Sequence, residues 1–149
     1  MTPSSQITQA NKLIFLGLLL FFFGLIIGLF VHNMTNARMA LSAHLEGVMN
    51  GIFLMVLGLI WDRVILPIKW LKVAFGLVLF GTFANLAAVL LAAITGFGKM
   101  MPLAGGTAGT PLMDGIISCL LISLSLAMLA VCMIILIGLY KRLNATNKL

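Results

Sequence analysis

The chain has 149 residues, of which 62% are hydrophobic and only 8% are charged, and its net charge at pH 7 is +6. A soluble domain carries about 25% charged residues, so this composition excludes a soluble globular protein and predicts an integral membrane protein. The excess of lysine and arginine is typical of basic residues that flank membrane spans, so we do not expect nucleic-acid binding.

Four apolar runs are long enough to cross a membrane, which takes about 20 residues of helix. The predicted helices cover residues 13–31, 40–61, 70–95 and 111–140. The connection 96–110 is rich in glycine and contains Pro102, which predicts irregular structure. We therefore predict an all-α integral membrane protein, in which residues 1–149 form a single four-helix transmembrane domain without a soluble module.

Basic residues are distributed unequally between the two sides of the predicted bundle. With four spans, both termini and the second connection share one side, which holds seven basic residues: Lys12, Arg63, Lys69, Lys72, Lys141, Arg142 and Lys148. The other side holds Arg38 and Lys99. The positive-inside rule then predicts cytoplasmic termini and a multi-pass protein of the bacterial inner membrane. Amphipathic rings prefer the interface, so Trp61, Trp70 and Tyr140 are expected at the inner one.

Within the second predicted helix, the otherwise apolar segment 44–51 carries three polar residues, His44, Glu46 and Asn50. Polar groups at membrane depth are costly, so they usually face a partner, a cavity or a cofactor. At 100° per residue, His44, Gly47 and Gly51 fall on one face, whereas Glu46 and Asn50 share another. The helix thus offers a histidine beside a strip without side chains and, on the other face, a carboxylate in line with an amide.

His44 has two interpretations. A neutral imidazole is a common metal ligand and the usual proximal ligand of haem, and Gly47 and Gly51 would leave flat room for a macrocycle. Alternatively, the imidazole only forms a hydrogen bond near the outer interface, while the glycines seat another helix. His32, beside Asn33 at a predicted helix end, is expected to be an interfacial residue.

Glu46 is either a general base or a carboxyl group that holds helices together. Asn50 and Asn85 are expected at comparable depth, because the second and third helices are antiparallel and both amides lie well inside the span. This pair either binds a small polar group of a substrate or locks the two helices. Asp114 follows Pro111, so capping or a place in the first turn of the fourth helix explains it.

Other patterns indicate packing and exclude several functions. Gly24 and Gly28 form a GxxxG motif, which predicts close helix packing. The chain has no Ser-His-Asp set, no phosphate-binding glycine loop and no cysteine cluster. No series of ionisable residues crosses the predicted spans, which argues against a proton pump.

Several segments together carry a resemblance to a known family. The strongest are Arg38-Met39 with Leu41-Ser42-Ala43-His44-Leu45-Glu46-Gly47-Val48-Met49-Asn50-Gly51, then Gly81-Thr82-Phe83-Ala84-Asn85, with residues 100–106 and 123–128. On these segments the chain resembles the hydroxylaminobenzene mutases, small four-helix membrane isomerases, over nearly its whole length. It is more distantly similar to styrene oxide isomerase, on His44, Asn50-Gly51 and Ala84-Asn85.

The resemblance implies a cofactor and an assembly. Styrene oxide isomerase binds haem b between the subunits of a trimer, which implies His44 as the axial iron ligand, Asn50 as a substrate-positioning amide and a homotrimer here. Gly47 and Gly51 would lie beside the haem. The catalytic aspartate and tyrosine of that enzyme fall on Gly81 and Val89 of this chain, so epoxide isomerisation by the same side chains is not expected.

The resemblance further implies a mutase that converts arylhydroxylamines, such as hydroxylaminobenzene, to 2-aminophenols, with haem iron acting as a Lewis acid on a small aromatic substrate. Asn50, Asn85 and Glu46 are its expected catalytic residues. The alternatives are a related epoxide-to-aldehyde isomerase, a haem-binding electron carrier with His32 as a second ligand, and a non-catalytic membrane scaffold.

Overall fold

A computed structural model describes residues 3–146, with the side chains of residues 5–145. Its long helices are α1 (Pro3–Leu29), α2 (Ala37–Ile60), α3 (Ile68–Thr95) and α4 (Pro111–Thr146). Each contains a stretch that is long and apolar enough to cross a membrane. Within the described residues the connections hold only short 3-10 helices and no strand. The predicted all-α architecture with four candidate membrane spans is therefore confirmed.

Helix α1 begins at Pro3, well before the start of its apolar run. Its extra turns are polar, and two glutamines anchor them on the connection between α2 and α3. Gln6 Nε2 donates hydrogen bonds to the carbonyl oxygens of Trp61 and Val64, at 2.7 and 3.3 Å. Trp61 Nε1 in turn donates to Gln9 Oε1 at 3.2 Å. Hydropathy cannot predict this helix start, because tertiary hydrogen bonds stabilise it.

The prediction that Trp61 lies at the membrane interface is wrong. Its side chain is fully buried and packs edge-on against Phe75, with 6.5 Å between the ring centroids. Trp70 and Tyr140 are 54% and 64% exposed, as interfacial aromatic side chains are expected to be. Trp61 instead joins α1, α2 and α3 at one end of the bundle.

Helices α1 and α2 share the most extensive helix–helix contact, and glycines make it possible. A Cβ added at Gly47 would lie 2.6 Å from the Cα of Gly24. A Cβ added at Gly51 would lie 2.7 Å from the carbonyl oxygen of Gly17. A side chain at either position would therefore push the two backbones apart.

The connection 96–110 folds over the end of the bundle where α3 stops. Gly96 ends α3 in the left-handed conformation, with a φ of 76°, which glycine adopts without strain. Asn36 Oδ1 accepts hydrogen bonds from the first backbone N–H groups of α2 and caps that helix. Its Nδ2 donates to the carbonyl oxygens of Ala104 and Gly105, at 3.1 and 3.0 Å. One side chain thus ties the predicted irregular segment to the start of α2.

The four helices alternate in direction, so the N-terminal end of α1 and the C-terminal end of α4 lie beside the α2–α3 connection. There the backbone N–H of Ile65 donates to the carbonyl oxygen of Gly138 at 3.3 Å. Lys148, one of the seven basic residues assigned to this side, lies outside the described residues. The cytoplasmic position of this side stays a prediction from the basic residues.

Candidate active site

His44 lies on the face of α2 that contacts α1, and a hydrogen bond orients its imidazole. Its Nδ1 lies 2.8 Å from the carbonyl oxygen of Gly24. A carbonyl oxygen only accepts hydrogen bonds, so Nδ1 is the donor of this bond, and Nε2 is the ring nitrogen left for another partner. A bond of this kind to a backbone carbonyl is the usual way in which a metal-binding histidine is held.

Gly28 provides the space that the imidazole occupies. A Cβ added at Gly28 would lie 2.7 Å from His44 Nδ1 and 3.0 Å from its Cε1. Gly24 supplies the acceptor and Gly28 the room, so the GxxxG motif of α1 positions the histidine as well as the helix. The glycine spacing predicted only close packing, and sequence reasoning missed this second role.

A surface groove of about 550 Å³ opens beside His44, between α1 and the start of α2. Its walls are mainly apolar and include Phe22, Leu25 and Leu41. This volume lies within the range of small-molecule and cofactor sites. His32 is exposed at the end of α1, where an interfacial residue is expected, and lines the same groove.

Gly47 and Gly51 lie elsewhere than the cofactor prediction expects. Both are buried against the α1 backbone, where Gly47 meets Gly24 and Gly51 meets Gly17. The strip that would leave flat room for a macrocycle is therefore filled by α1 in this protomer. The predicted role is corrected accordingly: these two glycines seat a helix, and the glycine beside the imidazole is Gly28.

Glu46 lies on another face of α2 and joins the two predicted amides. Asn85 Nδ2 of α3 donates to Glu46 Oε2 at 2.5 Å, and Asn50 Nδ2 donates to the same oxygen at 3.3 Å. The prediction that Asn50 and Asn85 lie at comparable depth is confirmed. All three side chains are half-buried. Within the described chain, Glu46 Oε1 and both amide oxygens accept no hydrogen bond, so this polar cluster both links α2 to α3 and offers unused acceptors.

The histidine and the polar cluster point to different helices of one protomer. His44 contacts α1 and lines the α1–α2 groove, whereas Glu46 contacts α3. Neither Glu46 nor its two amide partners line that groove. The side chains that sequence reasoning assigned to one site thus form two separate groups in this protomer.

No described group of three or more His, Cys, Asp or Glu side chains could hold a metal ion. A metal on His44 would therefore need further ligands from another source, such as the nitrogens of a macrocycle. Asp114 lies in the first turn of α4, as predicted, and its Oδ2 accepts a hydrogen bond from the backbone N–H of Gly109 at 3.0 Å.

Comparison with known protein families covers both groups of residues. The family model described as styrene oxide isomerase matches residues 9–140, which include His44 and the whole polar cluster. The chain belongs to the styrene oxide isomerase family. No solved structure matches the chain.

Two relatives of this family member share most of its length. Hydroxylaminobenzene mutase HabB of Ectopseudomonas oleovorans is 49% identical over 140 residues, which cover 93% of this chain and 85% of the relative. Hydroxylaminobenzene mutase HabA of the same organism is 42% identical over 127 residues, covering 84% and 94%. The resemblance predicted from the sequence is thus confirmed, and the protein is an enzyme of the isomerase class with four helices that could span a membrane.

Positions 81 and 89, at which the sequence predicts a departure from styrene oxide isomerase, lie close to other side chains. A Cβ added at Gly81 would lie 2.6 Å from Met128 Sδ of α4, and Val89 is buried in the core. An aspartate or a tyrosine at these positions would meet packed side chains.

Proposed function

We propose that this protein is a mutase that rearranges arylhydroxylamines, such as hydroxylaminobenzene, to 2-aminophenols. Its 49% identity to hydroxylaminobenzene mutase HabB over 93% of the chain carries the proposal. A small aromatic substrate partitions into a bilayer and so reaches a site among membrane-spanning helices. The excess of basic residues beside the termini supports the bacterial inner membrane, with both termini in the cytoplasm.

The polar cluster of Glu46, Asn50 and Asn85 supports this substrate class. An arylhydroxylamine carries N–H and O–H donors, and the cluster offers acceptor oxygens that no described residue uses. Asn50 and Asn85 would orient the N–O group through amides, which add no net charge to the membrane interior. An epoxide has no such donors, so the free oxygen of Glu46 favours the hydroxylamine, whereas Asn50 and Asn85 belong to the residues on which the chain resembles styrene oxide isomerase.

Haem b is the cofactor that we propose, and the surroundings of His44 fit it. The ring is held through Nδ1 on the Gly24 carbonyl oxygen, which leaves Nε2 as the atom that would hold the iron. The groove beside it is lined by apolar side chains such as Phe22 and Leu25, which suit the faces of a macrocycle. When bound there, haem iron supplies a Lewis acid for the substrate oxygen without net redox change.

A homo-oligomer would bring the two groups of residues into one site. The groove at His44 lies on the surface of the bundle, whereas the polar cluster lies on the α3 side of α2. We propose that a neighbouring copy packs against the groove and places its own polar cluster beside His44. A closed ring satisfies this head-to-tail contact, and the family resemblance favours a trimer.

Product analysis tests the function directly. Purified protein in phospholipid vesicles is given phenylhydroxylamine in water enriched in oxygen-18, with protein-free vesicles as the control. We expect 2-aminophenol with little label, because a dry site keeps the released oxygen beside the ring. Full solvent label would contradict oxygen retention in the site, and no aminophenol above the control would contradict the mutase function itself.

One observation favours a second candidate function, a haem-binding electron carrier. His32 lines the same groove as His44, and a second histidine could occupy the iron coordination position that a substrate would need. Carbon monoxide distinguishes the two, since it binds an open iron and not one with two histidine ligands. We expect the reduced protein to bind carbon monoxide. Aldehyde formation from styrene oxide, without turnover of phenylhydroxylamine, would instead indicate the related epoxide isomerase.

A further inference from the structure

The Glu46 carboxylate has one oxygen engaged and one oxygen free. Oε2 accepts the hydrogen bonds from Asn85 and Asn50. Oε1 accepts none from the described chain, and the side chain is only half-buried. Because two amides from two helices hold the same oxygen, the rotamer of the carboxylate is set before any ligand binds. Oε1 is therefore a preorganised proton acceptor for a molecule that binds beside it.

The proposed rearrangement ends with a proton transfer that such a group could perform. The N–O bond breaks, and the oxygen attaches to the ortho carbon, which then carries both hydrogen and hydroxyl, while the nitrogen is doubly bonded to the ring. The ring becomes aromatic again when the ortho C–H bond breaks and its electron pair re-forms a ring double bond. The C=N electron pair moves to nitrogen, which takes up a proton. One proton leaves carbon and one reaches nitrogen, so no oxidant or reductant is needed.

Conversion of an epoxide to an aldehyde makes no such demand. There a hydride moves with its electron pair between neighbouring carbons, and the product forms without removal of a proton by a base. A carboxylate with a free oxygen is therefore useful to a mutase and unnecessary for epoxide isomerisation. This difference gives the polar cluster a chemical purpose that a helix-locking role alone would not require.

We propose that Glu46 is a catalytic residue, whose Oε1 accepts the ortho ring proton and returns it to the substrate nitrogen. Asn50 and Asn85 hold the carboxylate for this transfer through Oε2. The proposal rests on the proposed mutase function and adds to it the residue that completes the isomerisation.

Deuterium at both ortho positions of phenylhydroxylamine tests this transfer. In the wild-type protein we expect nearly equal kcat for the two substrates, because N–O cleavage limits the rate. Glu46→Gln keeps an oxygen that accepts from both amides but cannot take up a proton. Its kcat should fall about a hundredfold, the lower end of the range for general acid–base catalysis, and a primary isotope effect should appear. Haem content and elution volume should not change.

A matched control and two contrary results make the test decisive. Thr82→Val removes another polar group of α3, whose hydroxyl donates to the Val78 carbonyl oxygen at 2.8 Å, and should show no isotope effect. Glu46→Gln with wild-type kcat would overturn the proposal. A slow Glu46→Gln without an isotope effect would also overturn it, since Glu46 would then only position other groups.

A second variant, Glu46→Asp, keeps the proposal testable if Glu46→Gln does not fold. Glu46→Asp keeps the charge but shortens the side chain by one methylene, so it should turn over slowly and show the ortho isotope effect. Wild-type kcat without an isotope effect in Glu46→Asp would contradict the transfer. If the wild-type protein itself formed no aminophenol, the proposed function would fail, and that result is distinct from every outcome for the variants.

Discussion

The two faces of α2 hold their polar groups in different ways. On the α1 side, the backbone positions His44, through the carbonyl oxygen of Gly24 and the space at Gly28. On the α3 side, the side chains of Asn50 and Asn85 position Glu46. The first face is a contact between backbones, and the second is a network of side chains.

Among the described residues, both faces leave polar atoms without a partner, and this is what the comparison teaches. His44 uses Nδ1 and keeps Nε2, while Glu46 uses Oε2 and keeps Oε1. Thr82 provides the contrast, since its buried hydroxyl donates its hydrogen to carbonyl oxygens of its own helix. His44 and Glu46 are thus each held through one atom, and each keeps a second atom that can bind a ligand.

The largest effect on unfolding free energy is expected when the close contact between the backbones of α1 and α2 is broken. Gly47→Val would drive a side chain into the backbone of Gly24, so we expect a loss of about 3 kcal/mol or more in unfolding free energy, or no folded protein. Gly76→Ala is the matched control, because nothing lies within 4 Å of a Cβ added there. Thermal unfolding in detergent, followed by circular dichroism, measures both. Equal melting temperatures would contradict the close contact.

Removal of the imidazole should abolish function while leaving the helix pair folded. His44→Ala is expected to lose the Soret absorption of haem and the mutase activity together, because no other described side chain is held in the same way beside the groove. His32→Ala, in the same groove, should retain both. If His44→Ala kept its full haem content, the ligand assignment would be wrong.

Variants on the α3 side of α2 should lower turnover without loss of haem. Asn50→Ala and Asn85→Ala are each expected to lower kcat/KM by about a hundredfold, because each variant loses one of the two hydrogen bonds that hold Glu46 Oε2, and a misplacement of about 1 Å can cost that much in rate. Haem content, read from the absorption spectrum, should match the wild type. Asn33→Ala, at an exposed position, serves as the control. Loss of haem in either amide variant would show that the two faces do not act separately.

The smallest effect on stability is expected where Gln9 of α1 contacts Trp61, away from both faces of α2. Gln9→Ala leaves the buried Trp61 Nε1 without its acceptor, which should cost about 1–2 kcal/mol of unfolding free energy. Asn11→Ala, on the exposed side of the same helix, should be neutral. Activity per folded molecule should stay at the wild-type level for both. A large loss of activity in Gln9→Ala would mean that this end of the bundle contributes to the site.

Run length and helix geometry predicted much of the fold. Helix α4 begins at Pro111 and α3 ends at Thr95, as the apolar pattern indicates. The start of α1 and the burial of Trp61 were not predictable, because they depend on hydrogen bonds that join Gln6 and Gln9 to Trp61 across the fold. A hydropathy pattern contains no information about such contacts between distant residues.

Part of the candidate site was also predictable from the sequence. The proximity of Asn50 and Asn85 followed from two antiparallel helices of known length. The bond between His44 and Gly24 did not, because it depends on which glycines of α1 face α2 and in which register. That register also decides that Gly47 and Gly51 contact a helix, where the sequence pattern alone allowed either a helix or a cofactor.

Mixed oligomers test most directly whether the two faces of α2 form one site between neighbouring copies. His44→Ala and Glu46→Gln chains are co-expressed, purified as mixed assemblies and compared with each variant alone. In a randomly mixed ring, about one quarter of the sites would combine an intact His44 with an intact Glu46 from the next copy, so about one quarter of the wild-type activity should return. If both residues of a site came from the same protomer, every site would lack either His44 or Glu46. Activity no higher than that of the separate variants would then contradict the shared site.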